Sequence, residues 1–415
     1  MKHFIPSKAT LLSLAGAALL FSACQKEGTP EADPGNEPKT RPLTAQEVQT
    51  LSSTNDFGYR TFAALRTGAG SSNLFISPLS ISAALTMTYN GADGTTKDAM
   101  RQTLGFTGQT DAAINQSFKS LFELLTTIDR TVEFAAANSI WHGQQYTLQV
   151  PFAQTNQLHF DATLRAVNFS DVSTKNAINQ WVSDKTKARI TSIVEQTSAD
   201  DVMYLINAIY FKGSWARKFD KTLTRKSTFH KEDGSTASVD FMTLKNGSYS
   251  YYADATKQVI DLPYGNKQFS MTVIVPSGSA TLATVSSQLT SANLDTWLAA
   301  ATTSSWELRM PKFRMEYKKE LSNILTQLGM GEAFTERANF SRMLQNSSQG
   351  LAISKVEHKT FLEVDEEGTE AAAVTSVGVV TTSIPPTISV DRPFLFLIRE
   401  KSSNAVLFMG QLVQP

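Results

Sequence analysis

The chain has 415 residues, enough for two ordinary domains or one large one. With 41% hydrophobic and 18% charged residues it reads as globular, and its 38 Lys and Arg balance its 38 Asp and Glu. That balance excludes an overall electrostatic pull towards nucleic acid or another polyanion, so no nucleic-acid partner is expected.

Residues 1–23 read as a processing signal rather than part of the fold. Lys2 and Lys8 give a basic start, Leu11 to Phe21 (LLSLAGAALLF) an apolar core too short to span a bilayer, and Phe21-Ser22-Ala23-Cys24 a small-residue cleavage site. Cys24 is the only cysteine, so no intrachain disulfide can form and the core must hold the fold. A lone cysteine at this place resembles the lipobox of bacterial lipoproteins, although Phe21 replaces the usual leucine; plain secretion is the alternative. The resemblance implies that Cys24 is lipidated and tethers the protein to the outer membrane of a Gram-negative bacterium. Residues 24–43 are acidic, Pro-rich and nearly free of apolar side chains, which predicts an extended tether. Its acidic residues are similar to signals that send some lipoproteins to the cell surface.

From Thr44 onward the pattern is dense and mixed. Val48, Leu51, Gly58, Phe62 and Leu65 fit one helical face, and SISAALTMTYNGA after Pro78 suggests a second helix. Asp93-Gly94 reads as a turn, with Thr95 and Asp98 as a helix start. Strands are predicted where Val132, Phe134, Ala136 and Asn138 alternate, in MYLINAIYF from Met203, in VIDLPYGNKQFSMTVIVP about a Gly265-Asn266 turn, and in the C-terminal PFLFLI and AVLFMGQLV. DVSTKNAINQWVSDKTKARI, around Trp181, reads as an amphipathic helix. Helices and strands alternate irregularly without a repeat, which predicts one α+β domain over 44–415, built on broad, mostly antiparallel sheets.

Enzyme chemistry finds no residues to stand on. The histidines after the signal, His142, His159, His230 and His358, are scattered without a metal-binding spacing, and no nucleophile elbow occurs. Gly91 to Lys97 (GADGTTK) lacks the glycine-to-lysine spacing of a phosphate loop. No cofactor or metal is expected, and the chain is not read as an enzyme.

Five ordered stretches then carry a family resemblance: NLFISPLSISAALTMTYNGADGTTKDAM, LINAIYFKGSWARKFD, LRMPKF, VEHKTFLEVDEEGTEAAAV and RPFLFLIREKSSNAVLFMGQLVQP. In that order they closely resemble the serpins over roughly Thr44 to Pro415. The resemblance implies a fold of three β-sheets with eight or nine helices and an exposed reactive-centre loop at about 366–386. It also implies an irreversible suicide-substrate inhibitor of serine proteases, with cysteine proteases as a further target class, acting as a monomer. The target cuts the loop and forms a covalent acyl-enzyme complex, and the cut loop inserts into the largest sheet. A non-inhibitory surface serpin is the alternative, against which the clean hinge GTEAAA speaks.

The loop residues are read in their own right. Ala371 to Ile384 contains no charge and no proline, an aggregation-prone strand sequence. Gly368 suits a hinge, and Thr369, Ala371, Ala373, Thr375, Val377 and Val379 alternate onto one side of an inserted strand. Fourteen residues from Thr369 extend about 46 Å as a strand. The slot for this strand is expected to stay closed until cleavage. The resemblance assigns the hinge to Glu366, Glu367, Gly368, Thr369, Glu370, Ala371, Ala372 and Ala373, and the scissile bond to Thr382-Ser383, with cleavage after Val380 or Thr381 as competitors. No Lys or Arg lies between Lys359 and Arg392, so elastase-like or subtilisin-like targets are favoured over trypsin-like ones. Ser77, Ser80, Asn207 and His358 match a polar cluster where the large sheet parts. Trp215 and Lys312 match the point where the loop enters, with Lys312 expected to pair with Glu366.

Overall fold

The computed structural model describes residues 37–245, 247–345, 351–354, 356–369 and 386–415. Their strands form three sheets, joined by nine α-helices among the described residues. A seven-stranded sheet runs in the order Leu74–Ile76, Val406–Leu412, Phe394–Glu400, Phe269–Pro276, Lys257–Pro263, Tyr249–Ala253, Thr302–Ser304. A six-stranded sheet runs Phe313–Glu320, Glu357–Val364, Gly368–Thr369, Met203–Ser214, Val132–Gly143, Thr163–Val167. A four-stranded sheet runs Thr387–Ser389, Glu307–Pro311, Thr236–Leu244, Arg225–His230. All neighbours are antiparallel except Glu307–Pro311 with Thr387–Ser389 and Val132–Gly143 with Thr163–Val167.

The predicted strands form for the reasons their sequences give. MYLINAIYF lies in Met203–Ser214, which pairs with Val132–Gly143 from Val132 opposite Gly213 to His142 opposite Met203. The C-terminal runs, apolar on both faces, are buried along their whole length, as is Phe269–Pro276. The hairpin before it turns through Gly265 and Lys267, both with positive φ. Glycine is required at the first, since a Cβ there would lie 2.1 Å from Thr131 Oγ1.

The helices add detail that periodicity alone does not supply. Ala45–Ala69 opens on a capping box between Thr44 and Glu47 and buries Leu51, Gly58, Phe62 and Leu65. Val48 lies off that face and is 53% exposed, a correction to the expected stripe. Pro78–Tyr89 is buried on nearly every side, so it shows no single apolar face. The next helix begins at Gly94, before the expected Thr95, because Asp93 is the N-cap residue while its carboxylate is drawn to Arg342 at 2.5 Å. Val172–Lys185 lies against the six-stranded sheet: Ile178, Trp181 and Val182 form a second core with Trp141, Ile206 and Ala208.

The end of the expected tether is held by the domain. Lys39 N donates to Ile128 O at 2.8 Å, and Arg41 makes a two-pronged contact with Glu47 at 2.6 and 2.9 Å. Cys24 and the rest of the tether up to residue 36 lie outside the described residues.

The six-stranded sheet carries the feature that matters for function. Among the described residues, Glu357–Val364 and Met203–Ser214 share no backbone pairing and are joined only through the two residues Gly368–Thr369. A cavity of about 220 Å³ extends along the two strands, lined by Asn207 and Met203 on one side and His358 on the other.

Candidate functional site

The site begins with the turn that follows Glu357–Val364. Asp365 Oδ1 accepts from Glu367 N at 2.8 Å and Gly368 N at 3.2 Å, an Asx-type turn, and Asp365 N donates to Gly368 O at 3.0 Å. The chain therefore folds back on itself, Thr369 pairs with Val364, and Gly368 and Thr369 pair with Ser214 and Gly213. Gly368 has φ 151°, and a Cβ there would meet Gly213 O at 2.1 Å and Ser214 Cα at 2.6 Å. Two backbones approach too closely for any other residue.

Trp215 fixes the far side of this turn. Its backbone N donates to Glu367 O at 2.8 Å and its indole Nε1 to Asp365 O at 2.9 Å. The indole stacks on Tyr264, with centroids 4.4 Å apart and planes 12° apart, and the Tyr264 hydroxyl lies 2.8 Å from Thr369 Oγ1. Burial pushes the Tyr264 hydroxyl far above its ordinary pKa, so it stays a neutral hydrogen-bonding group.

Two buried carboxylates complete the anchor. Glu366 and Glu367 are only 4% and 3% exposed. Lys312 Nζ lies 2.8 Å from Glu366 Oε2 and Thr224 Oγ1 donates to Oε1 at 2.6 Å. Lys218 and Lys221 hold Glu367 at 2.6 and 3.0 Å. Burial alone would raise both carboxyl pKa values, but these partners outweigh it and hold both below the ordinary carboxylate range. An exposed loop beginning at Glu366 is thus corrected: 366–369 are buried and paired, because four cation or hydroxyl donors and a sheet edge take up their polar groups. The slot is likewise occupied at this end by Gly368–Thr369.

The polar cluster lies farther along the same slot. From Gly213 to Asn207 the strand runs roughly 20 Å. Ser77 N donates to His358 Nε2 at 3.1 Å, Ser77 Oγ to Leu407 O at 2.7 Å, and Ser80 Oγ to Asn207 Oδ1. The two halves meet where Ser80 N donates to Ser77 Oγ at 3.3 Å. Among the described residues no hydrogen bond joins Asn207 to His358, so each strand is tied to the start of helix Pro78–Tyr89 rather than directly to the other. Burial pushes the His358 pKa down to about 3, so the imidazole is neutral, with Nε2 accepting and the proton on Nδ1.

The structure thus brings Trp215, Lys312, Glu366, Glu367, Gly368 and Thr369 into one anchor and Ser77, Ser80, Asn207 and His358 into a second, separate group. Glu370, Ala371, Ala372, Ala373, Thr382 and Ser383 lie outside the described residues. The sequence gives no site role to Tyr264, Lys218, Lys221 or Thr224, nor to Asn138, read only as a strand residue, whose Oδ1 accepts from Asn207 Nδ2 at 2.6 Å. Lys218 sat within a quoted motif, but nothing in its spacing pairs it with Glu367. At its far end the loop segment rejoins the described structure at Pro386, whose carbonyl accepts from Glu307 N at 3.1 Å before Thr387–Ser389 enters the four-stranded sheet.

A fold in which a sheet parts around a hinge is matched by known proteins. A family model described as Serpin (serine protease inhibitor) matches residues 52–415. Human Serpin B11 is 31% identical, covering 88% of this chain and all of its own. Human antithrombin-III is 32% identical, over 95% of this chain and 88% of its own. Among solved structures, human thyroxine-binding globulin with its bound thyroxine superposes with a TM-score of 0.82 at 28% identity, covering 89% of this chain and 100% of that one. The thermophilic serpin tengpin in its native state gives 0.80 at 30% identity, over 92% and 97%.

Proposed function

The chain belongs to the serpin family, which has inhibitory members such as antithrombin and non-inhibitory ones such as thyroxine-binding globulin; from that premise we propose that it is a suicide-substrate inhibitor of serine endopeptidases with elastase-like or subtilisin-like preference. The observation that carries the reading is the seating of Gly368–Thr369 between two strands that otherwise do not pair. This is where an inserting strand has to begin. The residues that follow, from Ala371 on, are small or β-branched and uncharged, so their insertion buries no unpaired charge.

In this reading the protease serine attacks the Thr382 carbonyl, the Thr382–Ser383 bond breaks, and the Ser383 amine leaves with a proton as an acyl ester forms. The N-terminal part of the loop, already threaded at Thr369, pairs progressively with both strands and draws the acylated enzyme along the sheet. Each added residue exchanges water for strand partners on two sides. The cluster around Ser77 supports such passage, because it ties each strand to the start of a helix rather than to the other strand.

The test is to incubate the full chain with an elastase, with subtilisin and with trypsin. The expected outcome is an SDS-resistant complex with the first two but not the third, and a released C-terminal peptide beginning at Ser383. Cleavage without a complex would support the non-inhibitory reading, and a peptide beginning at Thr381 or Thr382 would move the bond.

A further inference from the structure

Trp306 stands out among the exposed large apolar residues. It is 40% exposed, whereas the others, Val48, Val150, Leu158 and Val172, are aliphatic and lie on or at the ends of helices. Its place is fixed by its neighbours: Tyr249 donates its hydroxyl to Trp306 O at 2.9 Å, Trp306 N donates to Ser304 Oγ at 3.3 Å, and its ring lies 5.5 Å from that of Tyr251. Such a ring loses little freedom on being covered, and tryptophan is, with tyrosine and arginine, enriched among the few residues that carry most of the binding energy of an interface.

Its position points to one partner. The next residue, Glu307, donates its backbone N to Pro386 O at 3.1 Å and stands opposite Thr387 in parallel register. Trp306 therefore flanks Pro386, the third residue after Ser383. Three residues span at most about 11 Å. An interface of standard size covers about 800 Å² on each partner, a disc of roughly 16 Å radius. A protease engaged on the Thr382–Ser383 bond thus reaches the surface around Pro386. Arg309, exposed on the same strand, is held against Glu307 at 2.8 Å, so its charge is partly met and the rim beside the ring is polar.

We propose that Trp306, backed by Tyr251, is a contact outside the cleaved loop for the target endopeptidase, packing against apolar surface beside the enzyme's primed-side cleft and raising the rate at which the encounter becomes productive. The inference rests on the inhibitory reading. It assigns part of the target selectivity to the body of the protein rather than to the loop.

The experiment compares the full chain with W306A, W306F and, as a distant control, V172A against the protease that forms the complex. Association rate, inhibition stoichiometry, SDS-resistant complex and melting temperature are measured for each. W306A should slow association by about tenfold, as expected for loss of an anchoring aromatic residue, with W306F intermediate and V172A unchanged. Stoichiometry and melting temperature should not move, because neither insertion nor the core is touched. A W306A rate within twofold of the parent overturns the inference and leaves the inhibitory reading standing. A slower rate accompanied by altered stoichiometry and lower melting temperature also overturns it, since the residue then acts through the fold. If no variant, parent included, forms a complex with any protease, both fall.

Discussion

His358 was read from the sequence as part of a cluster, but its protonation state was not, because burial is a property of the folded neighbourhood. With a folded pKa near 3 against an ordinary value of 6.5, the unfolded chain takes up a proton that the folded chain refuses. Its contribution to stability is therefore complete above about pH 6.5 and is lost as pH falls towards 3. His358→Gln should cost about 1 kcal/mol at pH 7.5 by weakening the bond to Ser77 N. Between pH 6 and 4.5 its urea-derived stability should fall less steeply than the parent's, by about 1.4 kcal/mol per pH unit. Parallel curves would contradict a buried neutral imidazole. Gly368 shows the other side of residue-scale reading: a hinge glycine was legible, but the reason it cannot be replaced, 2.1 Å from a built Cβ to Gly213 O, belongs to another strand.

At the scale of the element, the turn 365–369 is a clamp rather than the start of a free loop. The sequence shows three acidic residues in a row, which in isolation read as a solvated surface stretch. The fold buries two of them because lysines from distant segments converge on them. Replacing Lys218 and Lys221 together by Ala should lower the urea midpoint at pH 7, because the buried Glu367 carboxylate then loses both of its cation partners. Adding Glu367→Gln to that variant should restore most of the loss. The clamp's contribution comes from depressed carboxyl pKa values, so it is complete above about 4.5 and declines as pH falls through the folded values. Urea melts at pH 7 and pH 4 should accordingly show the gap between parent and double variant narrowing in acid; a constant gap would mean that the lysines act otherwise.

At the scale of the whole molecule, the six-stranded sheet is joined across its middle by the two residues Gly368–Thr369, whereas the strand pairs flanking that point run over eight and eleven residues. In the proposed mechanism a chain cut within residues 370–385 fills that gap with its own strand and adds hydrogen bonds on both edges. A net gain of about 5 kcal/mol would raise the melting temperature by roughly 6 °C for a protein of this size. Limited cleavage in the loop followed by calorimetry should show a rise at least that large, and unchanged melting would remove the basis of the insertion mechanism. Local patterns were enough for the α+β class, for six of the seventeen described strands, for the family and for the small, uncharged character of the loop, because these follow from periodicity, composition and ordered motifs. The folded molecule alone shows which strands stand apart, that Gly368 and Thr369 are already seated between them with Glu366 and Glu367 buried beside them, and that Trp306 lies beside Pro386. Those facts depend on segments far apart in the chain meeting in space, and no local pattern encodes such a meeting.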